Sequence, residues 1–165
     1  MEVKILFKIG DRVVYPMQGA GIIKSIEDKE FLGKTQKYYI IKMLSNNMDI
    51  MIPLDKISDS NLRPVSDMST LDKILSDFSN EEPTEENELS SKQRYSINKE
   101  KIKSGSLSDC AEVIHDLVLI SKEKTLNSSE KQMLNCAKKF LIDEIILVKK
   151  ISEREADNLL SKLIS

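Results

Sequence analysis

The stretch Gln36-Lys37-Tyr38-Tyr39-Ile40-Ile41-Lys42-Met43-Leu44-Ser45-Asn46-Asn47-Met48-Asp49-Ile50-Met51-Ile52-Pro53 decides the first half of the fold. Two apolar-rich runs flank an asparagine pair. Asn tolerates the positive φ of a tight turn, so the runs 36–44 and 48–52 are expected to pair directly as a hairpin. Alternation sets Tyr39, Ile41 and Met43 on one face, with Tyr38, Ile40 and Lys42 on the other. Upstream, Phe7 and Ile9 lead through Gly10-Asp11 into a strand at 12–15 that Pro16 stops, and 20–26 is rich in branched apolar residues. Gly19-Ala20-Gly21 reads as a turn between these strands and not as a phosphate cradle. Downstream, Pro53 ends the run and Leu62-Arg63-Pro64-Val65 looks like a closing extended segment. Four short strands with glycine-containing turns predict a small, strongly curved sheet or partial barrel over residues 1–65.

Beyond residue 69 the apolar period changes to that of a helix, with Leu71, Ile74, Leu75 and Phe78 at i, i+3, i+4, i+7. The run from Ser79 to Glu88, acidic and broken by Pro83, predicts an exposed loop. A helix over 92–103 should stop at Ser104-Gly105, glycine suiting the left-handed C-cap. A third opens at Ser106 with Asp109 three residues on, and points Ala111, Ile114, Leu117 and Val118 inward. A fourth opens at Asn127, with Glu130 at the reciprocal capping position, and carries Leu134, Ala137, Leu141, Ile145 and Val148. Ser152 and Glu155 form a capping box for a fifth helix with Ala156, Leu159, Leu160 and Leu163. The fold class is therefore α+β, a small β domain over 1–65 followed by a compact all-α domain over 66–165.

Of the 165 residues, 40% are hydrophobic, which suffices for a real core in each half. No apolar run reaches the roughly 18 residues of a spanning helix, and the N-terminus shows no signal-peptide pattern. A cytoplasmic protein with no membrane partner is expected. Cys110 and Cys136 each fall inside an apolar helical pattern and match no disulfide or CxxC motif, so both are expected to be buried small hydrophobes.

The net charge of −2 conceals a reversal. Residues 66–88 hold eight acidic groups against Lys73 alone, whereas 89–103 hold Lys92, Arg94, Lys99, Lys101 and Lys103 against Glu100 alone. At 100° per residue, Lys92, Lys99 and Lys103 fall within about 40° of one another, a basic stripe that could follow a phosphate backbone. Three phosphate contacts would give log K a slope of roughly −2.7 on log salt, or about forty-fold between 50 and 200 mM.

Chemistry-bearing motifs are missing. His115 is the only histidine, so His-based zinc sites and HExxH are excluded. No GxSxG and no GxxxxGK[ST] occurs, and no paired carboxylates are recognisable. Neither catalysis, a cofactor nor a metal is expected, and the chain reads as a binding module.

The residues Phe7-Lys8-Ile9-Gly10-Asp11-Arg12-Val13-Val14-Tyr15-Pro16, then Gly19-Ala20-Gly21, Ile52-Pro53 and Leu62-Arg63, resemble the start of the CarD/CdnL transcription regulators. The same small domain occurs within transcription-repair coupling factor, whose motor needs the P-loop this chain lacks. In the second half, Gln93-Arg94-Tyr95, Asn98, Glu100-Lys101, Ser104-Gly105, Ala111-Glu112-Val113-Ile114, Asp116-Leu117, Ser129-Glu130-Lys131 and Met133-Leu134 resemble the CarD helical domain.

The resemblance implies a Tudor-like (SH3-like) domain over 1–65 that docks on the RNA polymerase β subunit. It further implies a helical domain over 66–165 that touches promoter DNA at the upstream edge of the bubble, without base-specific reading. The chain would act as a monomeric regulator of open-complex stability. Matching positions make Lys29, Tyr39, Ile41 and Met51 candidate polymerase contacts. Lys92, Arg94 and Lys131 fall on or beside the family's basic positions, joining Lys99 and Lys103 of the stripe. Ser91 stands where the family usually has a wedge tryptophan, and Gln93 and Ser96 replace common basic residues. An apolar wedge or stacked aromatic contributes on the order of 1–3 kcal/mol per base contact, so weaker DNA engagement is expected here. The alternative is a polymerase-tethered protein–protein adaptor with little DNA contact.

Overall fold

The computed structural model describes residues 7–79 and 89–165; the acidic stretch 80–88 lies outside the described residues. The chain divides into two compact units, Met1–Val65 and Ser66–Ser165.

The first unit is a five-stranded antiparallel sheet of β1 (Arg12–Tyr15), β2 (Gly19–Phe31), β3 (Lys34–Met43), β4 (Asp49–Pro53) and β5 (Arg63–Pro64). Their order is β4-β3-β2-β1-β5, so β4 is an edge strand. β3 and β4 pair as the asparagine pair predicts, with Lys42 opposite Asp49, Asn47 at φ 55° and the Asn46 side chain accepting the Met48 N–H at 3.0 Å. One face is packed, with Val13, Ile23, Tyr39, Ile41 and Met43 meeting Phe7, Ile52, Leu54, Ile57 and Leu62. The Tyr39 hydroxyl accepts the Phe7 N–H at 3.0 Å and donates to the Phe7 carbonyl at 3.3 Å, while the two rings meet edge to face. That exchange closes the chain start over the sheet and satisfies a phenol in a dry environment.

Two features differ from expectation. Gly19-Ala20-Gly21 is not a turn: the three residues open β2 and pair with Tyr15, Val14 and Val13. The turn lies earlier, where Met17 takes φ 70°. Gly21 is required by close approach, because a Cβ there would stand 2.5 Å from the Lys42 carbonyl oxygen on β3. Gly21→Ala must therefore push β2 and β3 apart, and is expected to cost about 1–3 kcal/mol in a urea unfolding curve. The second difference is that β2 and β3 run on beyond 26 and begin before 36, forming one long arm. Leu32 and Gly33, at φ 52° and 78°, turn it in the manner of a type I′ hairpin. The arm carries charge pairs such as Asp28 opposite Lys37, at 3.4 Å.

The second unit comprises α1 (Met68–Ser76), α2 (Ser91–Ser104), α3 (Leu107–Glu123), α4 (Ser128–Lys149) and α5 (Glu153–Ile164). Each begins on a side-chain cap: Asp67, Ser90, Ser106, Asn127 and Ser152. Capping boxes close at Ser90/Gln93 and Ser152/Glu155, and Gly105 ends α2 at φ 74°. Hydrogen bonds from the Thr70 N–H, the Thr70 side chain and Ser69 hold the Asp67 carboxyl below the usual Asp range. The core joins Leu71, Leu75 and Phe78 to Val113, Ile114, Leu117, Leu141, Ile145, Ala156 and Leu160. Cys110 is buried there, but Cys136 is exposed, which corrects the expectation. The inward line of α4 runs through Met133, Leu134 and Ala137, and residue 136 stands about 100° before Ala137 on the helix. Among the described residues no helix is long and apolar enough to cross a membrane.

Candidate nucleic-acid interface

α2 has a polar outer face and a buried line made of Arg94, Asn98 and Ile102, four residues apart. Lys92, Lys99 and Lys103 are exposed, as are Ser91 at the first helical position and Lys131 in the first turn of α4. Lys103 lies 3.8 Å from Glu100, a weak surface pair, whereas Lys101 is drawn to Glu112 of α3 at 3.2 Å. The stripe of three lysines thus stands in solvent along one helix face.

Arg94 does not belong to that surface. Its side chain is only 3% exposed, and Glu130 beside it is 1% exposed. Nε donates to Glu130 Oε2 and Nη2 to Oε1, both at 3.0 Å, while Nη1 donates to the Leu89 carbonyl at 3.2 Å. Every guanidinium nitrogen is engaged inside the protein, so Arg94 is withdrawn as a DNA contact. Glu130 correspondingly does not complete the α4 capping box: Asn127 accepts the Glu130 N–H at 2.9 Å, but the Glu130 carboxylate faces Arg94. The helical phase held the missed signal. At 100° per residue Arg94 stands about 200° from Lys92, on the side of α2 opposite the lysine stripe, and that side, with Asn98 and Ile102, is the buried one. Asn98 is fully buried, and neither of its side-chain polar atoms has a partner among the described residues.

In the β unit, Lys29 is exposed on the arm, its Nζ 3.3 Å from Glu27. A hydrogen bond from Ser25 and then the Lys29 ammonium hold the Glu27 carboxyl below its ordinary value. Met51 is 55% exposed on the edge strand β4. Tyr39 and Ile41, by contrast, are both 0% exposed. They alternate with Met43 on the packed face of an interior strand, so their side chains are core and are withdrawn as partner contacts. Sequence reasoning also missed the arm's tip, where Phe31 and Leu32 are 68% and 88% exposed. Among the described residues no cluster of His, Cys, Asp and Glu could hold a metal ion.

A small β unit with exposed edge and arm residues, followed by a helix bundle bearing a solvated lysine stripe, defines a protein of two units. Comparison with known proteins places it. The model of the CarD-like/TRCF RID domain matches residues 7–66, and that of the CarD C-terminal domain matches residues 73–161. The chain is 50% identical over 150 residues to a Bacillus subtilis (strain 168) protein named "Putative transcription factor YdeB", covering 91% of this chain and 97% of that one. A solved structure titled "CdnLNt from Myxoccoccus xanthus" is 40% identical, covering 39% of this chain and 92% of that chain at a TM-score of 0.32. The chain belongs to the CarD/CdnL family of transcription regulators.

Proposed function

We propose that the β unit tethers the protein to the RNA polymerase β subunit and that the helical unit lays its lysines along promoter DNA beside the transcription bubble. In this reading the protein acts as a cytoplasmic monomer and changes the lifetime of the open complex, without reading base sequence. The observation that carries it is the exposed alignment of Lys92, Lys99 and Lys103 on α2, in a chain that matches the CarD C-terminal domain. Lysines on a helix face supply backbone contacts and salt dependence, not base discrimination. Lys29 and Met51, both exposed in the part that matches the CarD-like/TRCF RID domain, support the tether.

The tether is tested by capture on immobilised polymerase. The wild-type chain should recover with a β-subunit fragment, and Met51→Glu combined with Lys29→Glu should reduce recovery about tenfold or more, as mismatched charge placed in an interface does. Equal recovery of the double variant would place the dock elsewhere. The adaptor reading is favoured by Ser91, an exposed serine where the family has its wedge. A footprint of promoter DNA separates the two, since an adaptor leaves the bubble unchanged.

A further inference from the structure

The N-terminal half of α2 has an unusual anchorage. Ser91, Lys92, Gln93, Ser96 and Ile97 are exposed, and Tyr95 is only half-buried. The first fully buried apolar side chain of the helix is Ile102, near its far end. Apolar packing therefore holds the C-terminal part of α2 through Ile102, and the first two turns only through the half-buried ring of Tyr95. Beside Tyr95 two polar side chains reach further inward from those turns: Arg94 onto Glu130, and Asn98 with no partner among the described residues. A bidentate guanidinium–carboxylate pair fixes both distance and plane, which a lone apolar contact does not. Arg94 also ties back to the Leu89 carbonyl, and the Arg94 N–H donates to the Ser90 carbonyl at 2.9 Å. The same residue thus sets where the chain enters α2 and which turn of α4 it faces.

We infer that Arg94 and Glu130 form a positioning clasp that holds the first turn of α2 against the first turn of α4, and so fixes the spacing between the lysine stripe and Lys131 along a DNA backbone. This rests on the reading that the lysine face meets DNA. Lys92 opens the exposed stripe two residues before Arg94, about 200° around α2 from the clasp, and Lys131 follows Glu130 directly. Neither clasp residue touches DNA itself. Arg94 carries no spare nitrogen, and Glu130 would repel a phosphate.

That last point supplies a test of sign. Glu130→Gln removes a negative charge beside the lysines, so Coulomb effects alone would tighten DNA binding. A loosened clasp weakens it instead. Full-length protein is titrated onto fluorescein-labelled fork DNA at several salt concentrations, at a temperature where far-UV circular dichroism shows each variant folded. For Glu130→Gln the expected result is binding about three- to tenfold weaker, with a salt slope shallower by about 0.9–1.8, the share of one or two phosphate contacts. Arg94→Lys keeps the charge but not the fork, and is expected to lose as much; it also decides the matter if Glu130→Gln does not fold. A role confined to stability would lower the melting temperature and leave the slope unchanged.

Wild-type slope or tighter binding in folded Glu130→Gln, or in Arg94→Lys, overturns the clasp. In that case Lys92→Glu and Lys131→Glu still weaken binding, and the DNA reading survives. If those two lysine variants bind as the wild type does, the DNA reading falls and the proposal falls with it.

Discussion

Glu130→Met alone should destabilise the helical unit by about 3–5 kcal/mol, while Arg94→Met/Glu130→Met together should fall within about 1 kcal/mol of the wild type or exceed it. The asymmetry follows from burial. Both side chains are almost wholly removed from water. Removing one leaves an ion in a low-dielectric interior with no compensating partner, whereas removing both replaces two desolvated charges by apolar volume. Urea unfolding followed by far-UV circular dichroism measures the difference. Equal costs for the single and double variants would mean that the pair is solvated enough to ignore. The double variant also separates stability from position, because it should fold well and still bind DNA with a shallower salt slope.

Lys92→Glu/Lys99→Glu/Lys103→Glu should bind promoter DNA at 50 mM salt no better than the wild type does at 200 mM, a loss of about forty-fold, and should show a salt slope shallower by about 2.7. The three positions are exposed and make no buried contact, so folding should be unaffected; surface substitutions of this kind usually stay within about 0.5 kcal/mol each. An unchanged salt slope would leave the stripe as ordinary solvated surface.

The parts legible in the sequence were those with short-range signals. The asparagine pair located the β3–β4 hairpin, and Ser, Asn and Gly at helix ends located the starts of α3, α4 and α5 and the end of α2. The arm was not legible because its residues 27–30 and 34–37 are all charged or polar and show no apolar alternation, and Leu-Gly is a weaker turn signal than Asn-Gly. At the site, exposed lysines were read correctly from helical phase, yet Arg94 was misplaced because charge was taken to mean surface. Its position about 200° around α2 from Lys92, opposite the stripe, should have outweighed its charge. Tyr39 and Ile41 show the same conflict in the β unit: alternation with Met43 already set them on one face, and that face is the core. Cys136 shows its converse, an apolar residue type whose phase turns it outward.

The absence of tryptophan at residue 91 divides the family's mechanism into two contributions. In the proposed reading the lysines supply an electrostatic hold on the DNA backbone, and a wedge would add stacking at the opened edge. This chain has the exposed lysines that the first contribution calls for and an exposed serine at the position of the second. The most direct measurement is the lifetime of the open promoter complex, followed by a fluorescent probe in the bubble, with polymerase alone, with the wild-type protein, and with Lys92→Glu/Lys99→Glu/Lys103→Glu. The account predicts that the wild-type protein shifts the lifetime modestly, that the triple variant returns it to the value for polymerase alone, and that Ser91→Trp enlarges the shift. A lifetime identical with and without the wild-type protein, at concentrations where it is bound to polymerase, would contradict it.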